Sequence, residues 1–179
     1  MKAMRNLFAA LTLTLLVAAC GDNDSSVFRH ISVLDHSRIA VHAHNAADAI
    51  VTANGDLSIA GNNVVLTAEQ RGLLQHYFAA VIALQADAIA TGKAGAQTAT
   101  TALGSVVSGL ANGDPDKIGD DIEKQADEVD VAATKVCADL SAIQTNQDAI
   151  AAQLPAFKPY ASIEAKQALE CNRHEVRIR

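Results

Sequence analysis

The sequence predicts an α+β chain, mostly α, with a small N-terminal antiparallel β-meander followed by a helical bundle that contains one long helix. Three observations predict it. Apolar residues recur every seven positions from Ile122 to Ile150, a span far longer than any strand. Asn54-Gly55 separates two short apolar runs, 49–53 and 57–59, which is the pattern of a hairpin. Aromatic residues are only 3% of the chain and alanine is abundant. A core of that composition suits helices that touch through small side chains.

The first element is an export signal over residues 1–19. Lys2 and Arg5 form a positive start, and Leu7 to Val17 is apolar apart from Thr12 and Thr14. That run is shorter than the roughly 20 residues a permanent membrane span needs, and it has the length of a secretory h-region. The segment ends Val17-Ala18-Ala19-Cys20, similar to the lipobox at which bacterial lipoproteins are cut and lipidated. Small residues fit the groove of the peptidase, and the Cys20 thiol and the freed amine accept diacylglycerol and a further acyl chain such as palmitate. Several chains, each at about 0.8 kcal/mol per buried methylene, make a stable membrane anchor where one would not. Gly21 in place of Asp favours the outer membrane, so the expected location is lipid-anchored and facing the periplasm.

Residues 20–37 read as a tether, because Asp22 to Ser26 is polar and turn-forming. A single globular domain follows over 38–160, with the meander at 38–66 and helices at 67–154. Ile39 and Val41 alternate with polar neighbours. Asn54-Gly55 predicts a type I′ turn, Leu57 to Ile59 the return strand, Ala60 to Asn63 a second turn, and Val64 to Leu66 a third strand. Thr67-Ala68-Glu69-Gln70 is a capping box that opens a helix, whose core positions are Leu74, Phe78, Val81 and Leu84, and which is expected to stop at Gly92. Residues 94–111 carry no charge, and Ala96, Thr100, Gly104 and Ser108 fall four apart. This stretch is expected to be a helix buried within the domain, in preference to a membrane-inserted one.

Asp114 as N-cap and Pro115 at the first helical position predict the start of the longest element. Its seam is Ile122, Val129, Val136, Ile143 and Ile150, with Ala126, Ala133, Leu140, Gln147 and Leu154 as companions. Two alanines and a glutamine in the companion row weaken a coiled-coil dimer, so packing on the chain's own domain, and a monomer, are favoured. Leu154 to Tyr160 turns the chain through two prolines, and Phe157 and Tyr160 can pack back. Residues 161–179 form a last helix and a basic tail.

The chain has 14 basic and 20 acidic residues, and removal of residues 1–19 leaves 12 against 20, a net charge of −8. That balance argues against nucleic acid, whose phosphates need a basic face. Cys137 and Cys171 remain after lipidation. In an oxidising compartment a disulfide between them is the default, against free thiols or a bridge to another protein. His42 and His44, two apart on a strand, share a face, and with His36 they are the only metal-like constellation, a partial shell for zinc or copper. No Gly-x-Ser-x-Gly elbow or phosphate loop is present, and Cys137 in mid-helix is a poor setting for an activated thiolate. The expectation is a non-catalytic structural or interaction protein with an envelope protein as partner and no cofactor. The alternative is a periplasmic metal-binding protein.

The segments Asn54-Gly55-Asp56-Leu57-Ser58-Ile59, Leu66-Thr67, Gln70-Arg71, Leu74 and Tyr77 resemble the YggN-like family, periplasmic proteins of Gram-negative bacteria with a domain of unknown function. Lys135-Val136-Cys137, Leu154-Pro155-Ala156-Phe157 and Pro159-Tyr160 fit it as well, so the resemblance covers about residues 38–160. It implies a periplasmic location and brings no catalytic residues. Members carry a second cysteine near the mature N-terminus, where this chain has only Cys20. A family disulfide through Cys137 would here need Cys171.

Overall fold

The computed structural model describes residues 29–112 and 116–178. The signal segment, Cys20 and the Asp114-Pro115 cap lie outside the described residues. Five strands form one antiparallel sheet in sequence order: β1 (Ile31–Asp35), β2 (Arg38–Ala43), β3 (Ala46–Thr52), β4 (Leu57–Ile59) and β5 (Asn62–Asn63). Helix α1 (Ala68–Asn112) and helix α2 (Asp116–Gln153) follow, then a 3₁₀ helix (Pro155–Tyr160) and α3 (Ala165–Ile178). The α+β, mostly α class is therefore the observed one.

The sheet starts earlier than residue 38, so the 20–37 tether is too long by at least one strand. Ile31 and Val33 alternate inward, and a tight turn at His36-Ser37 pairs them with Val41 and Ile39. Asp35 closes that turn by accepting from the Ser37 amide and hydroxyl at 2.8 Å and from Arg38 at 2.7 Å. The Arg38 hydrogen bond, with help from Ser37, holds the Asp35 carboxyl well below the usual carboxylate range.

The Asn54-Gly55 turn is real, but it is not type I′. Only Gly55 has positive φ, and the Gly55 amide donates to Thr52 O at 2.9 Å. The loop is set by what lies under it. A Cβ on Gly55 would stand 2.2 Å from the Arg71 carbonyl oxygen on α1, so only glycine lets the hairpin reach the helix. Gln75 Nε2 donates to Asn54 O, and Arg71 pairs with Asp56. Two consecutive positive φ values occur instead at Ala60 and Gly61, and that turn fixes β5 at Asn62–Asn63. The third strand expected at 64–66 is not formed. Val64 and Leu66 pack on the core while Val65 faces water.

The capping box is present in both directions: Thr67 N donates to Gln70 Oε1 at 2.9 Å, and Gln70 N to Thr67 Oγ1 at 3.2 Å. Helix α1 then passes through Gly92 without stopping. One glycine costs about 1 kcal/mol in a helix interior, which α2 alongside offsets. The two helices run antiparallel, as Glu69 and Gln70 meet Gln153 at one end and Asp87 meets Asp139 further along.

One face of the sheet, carrying Ile39, Val41, Ala49, Val51 and Leu57, packs on Leu74, Tyr77, Phe78, Val81 and Leu84 of α1 and on Ile143, Ile150 and Leu154 of α2. Phe157 and Tyr160 close the core from the 3₁₀ helix. Phe157 meets the Tyr77 ring edge-on at 5.7 Å, and the Tyr160 hydroxyl donates to Ala47 O on β3. The half of the heptad seam nearest the sheet is thus covered within the chain. Gln147, which looked like a defect in the seam, is fully buried and satisfied. Its amide binds both the carbonyl and the N–H of Ile163, as a paired strand would.

The stretch 94–111 is not a separate helix, and its described side chains, 94–101 and Gly104, are not buried. It is the far part of α1. Among the described side chains, none is buried on α1 beyond Leu84 or on α2 before Cys137. This distal hairpin, the arm, is about 40 Å long at 1.5 Å per residue from Leu84 to Asn112. Its threonines turn inward on their own helix: Thr91, Thr98 and Thr100 donate to the carbonyls of Asp87, Ala94 and Ala96. By length and composition Ala68–Thr101 could cross a membrane, but Leu74, Tyr77, Phe78, Val81 and Leu84 within it are buried in the core, while Ile89 is half exposed.

Candidate functional site

The three histidines named from the sequence do not come together. His36 lies in the β1–β2 turn and His44 in the β2–β3 turn, at opposite ends of β2. Six strand residues separate them, about 20 Å at 3.3 Å per residue. Strand β2 ends at Ala43, so His44 leaves the strand before it can share a face with His42. Among the described residues no group of three or more His, Cys, Asp or Glu side chains could hold a metal ion. The expected His36–His42–His44 set is corrected on that geometry.

His42 has other partners. Its Nδ1 lies 2.8 Å from Asp48 Oδ1, and its Nε2 lies 3.0 Å from Ser32 Oγ. Three strands supply the three residues: Ser32 on β1, His42 on β2 and Asp48 on β3. All three sit on the sheet face turned away from the helices, because inward positions are taken by Ile31, Val41 and Ala49. A carboxylate can only accept, so Nδ1 carries the proton. In a neutral ring Nε2 is then the acceptor, and the Ser32 hydroxyl donates to it. Ser32, Ala40, Ile50 and Ser58 form a row across this face by register, with Leu34, half exposed, at its margin. The His42 and Asp48 side chains are 34% and 58% exposed, so a ligand can reach them. Behind Asp48 stands Tyr160. Burial, and then the charge of Asp48, push the Tyr160 hydroxyl up from its ordinary value, which keeps it a donor to Ala47.

The sequence reading named His42 but not Ser32. The missing signal was β1. Once Ile31–Asp35 is read as a strand, the two-residue turn at His36-Ser37 sets Ser32 opposite Ala40, on the same face as His42.

A second polar cluster marks the border between body and arm. Asp87 on α1 is within hydrogen-bonding reach of Asp139 on α2, and Asp139 Oδ2 is closed off from water with no partner. Burial and then the neighbouring Asp87 charge raise the Asp139 carboxyl. Two residues away, Cys137 is bonded to Cys171, with their Cα atoms 5.5 Å apart. That bridge pins α3 along α2, where Ala168 is buried.

A family model described as protein of unknown function (DUF2884) matches residues 26–118, and the chain belongs to this family. The match takes in the whole sheet and α1 and stops at the start of α2. No curated protein and no solved structure matches the chain.

Proposed function

We propose that this chain is a lipid-anchored protein of the bacterial cell envelope, held through acyl chains on Cys20 and facing the periplasm, with the outer membrane favoured. Its role is structural or interactive: the body folds on itself, and the arm docks an envelope protein. The observation that carries this reading is the arm. Among the described residues, α1 and α2 continue past their last buried side chains, Leu84 and Cys137, with Ile89 and Val131 more than half exposed. Exposed apolar side chains on such a helical pair offer a surface to another molecule. Lys2, Arg5, the apolar run from Leu7 and Ala18-Ala19-Cys20 support the anchor, and the resemblance to YggN-like proteins supports the periplasm.

The test is photo-crosslinking in intact cells with the full chain carrying a crosslinker at Val131 or, for comparison, at Val65 on the body. The expected result is a discrete protein adduct at Val131 that is absent at Val65 and lost when Cys20→Ser blocks lipid labelling and displaces the protein. Lipid labelling that survives Cys20→Ser, or equal adducts at both positions, would overturn the proposal.

A further inference from the structure

The hydrogen-bonded chain on the open sheet face goes beyond a docking role. We propose that Ser32 is a primed nucleophile, activated by His42 and oriented through Asp48, which takes an acyl group from an activated ester.

The geometry has the polarity such a reaction needs. Asp48 accepts from Nδ1 at 2.8 Å and so fixes which ring nitrogen is protonated. The lone pair of Nε2 then points at the Ser32 hydroxyl 3.0 Å away. A serine hydroxyl is a weak nucleophile until a base adjoins it, and a base held by a third group is the arrangement that activates one. Ser37, the hydroxyl of the neighbouring turn, has a different partner. Ser37 Oγ donates to the Asp35 carboxylate, and an acceptor-only carboxylate fixed by Arg38 stands where Ser32 has an imidazole.

Each atom of the step has a destination. Ser32 Oγ bonds to the ester carbonyl carbon while its proton passes to His42 Nε2. The carbon–oxygen bond to the leaving group breaks, and the leaving alkoxide takes the proton back from Nε2. The products are acyl-Ser32 and a free alcohol or phenol, with His42 neutral again. Asp48 is a positioning residue, since it touches only the imidazole.

Exposure sets the scope. The flanking Leu34, half exposed, and the part-buried Ile50 offer a shallow apolar surface for a small acyl group. The relay itself is open to water, where fixed charges act far more weakly than in an enclosed site. The structure therefore points to a single acylation by a reactive donor rather than rapid turnover, and to activated esters with good leaving groups as the donor class.

The test uses the full chain in detergent, with p-nitrophenyl acetate and, separately, an alkyl fluorophosphonate as probes. The rate of Ser32 modification is followed by peptide mass mapping, with Ser37 as the internal comparison. Ser32 should react far faster than Ser37. Removal of a general base slows such steps by about 100-fold or more, so His42→Ala should lose most of the rate, and free imidazole should restore part of it. Asp48→Asn should slow labelling by at least about tenfold while circular dichroism stays unchanged. Nitrogen NMR of the wild-type ring should show the proton on Nδ1, a readout that needs no variant. Equal reactivity of Ser32 and Ser37, an unchanged rate in His42→Ala, or a neutral ring with its proton on Nε2 would overturn the proposal.

Discussion

The same two helices build two different things. Near the sheet, α1 and α2 present Leu74, Tyr77, Phe78, Val81, Leu84, Ile143 and Ile150 to a shared core with the strands and the 3₁₀ helix. Between Leu84 and Cys137 no described side chain is buried, and Ile89 and Val131 are more than half exposed. Hydrophobic stabilisation scales with apolar area removed from water, about 25 cal/mol per Å². The described part of the arm therefore buries far less than the body. The difference teaches that a heptad pattern fixes periodicity, while the elements packed against it decide which of its positions are buried.

Substitutions sharpen or break that contrast. The largest effect is expected at Phe157, which is fully buried between Tyr77 and Tyr160. Phe157→Ala should cost about 3–5 kcal/mol in denaturant unfolding. A loss near zero would mean the 3₁₀ helix is not part of the core.

Gln147→Leu removes both partners of the Ile163 backbone and should cost about 1–3 kcal/mol. An unchanged midpoint would show that water replaces the clamp.

The Asp87–Asp139 border gives a pH-dependent prediction. The Asp139 carboxyl is raised in the folded chain, so between its ordinary value of 3.8 and its raised value the folded form binds more protons than the unfolded one. Stability therefore falls as pH rises through that window, and at neutral pH the ionised pair is a cost. Asp139→Asn should raise the Tm at pH 7, and the gain should shrink as the pH is lowered towards 3.8. A gain that is constant with pH would exclude charge as its cause.

The smallest effect is expected on the arm. Val131 is 60% exposed, and Val131→Ala should change stability by no more than about 0.5 kcal/mol. A larger loss would place a second buried interface on the arm and erase the distinction from the body.

How much of this was legible follows from which interactions are local. The capping box at Thr67–Gln70, the part of the seven-residue seam at Ile143 and Ile150, and the proline turn that returns Phe157 and Tyr160 are relations within a few residues, and each appears where the sequence puts it. The strands at 38–43 and 57–59 were legible from alternation, whereas β1 was not, because its polar surroundings resemble a spacer. The helix stop at Gly92 failed because a glycine cost of about 1 kcal/mol is small beside the support of a neighbouring helix.

The sequence by itself determined the class of fold, the order of its elements and the positions that turn or cap the chain, since backbone preferences and side-chain periodicity act over short range. Only the tertiary structure decided which of two equally periodic halves is buried, where Gln147 finds its partners, and which residues share the open face of the sheet. Those outcomes depend on strand register and on contacts between distant segments. The end of β2 at Ala43 takes His44 into a turn and away from His42, and a turn of two residues brings Ser32 to it instead.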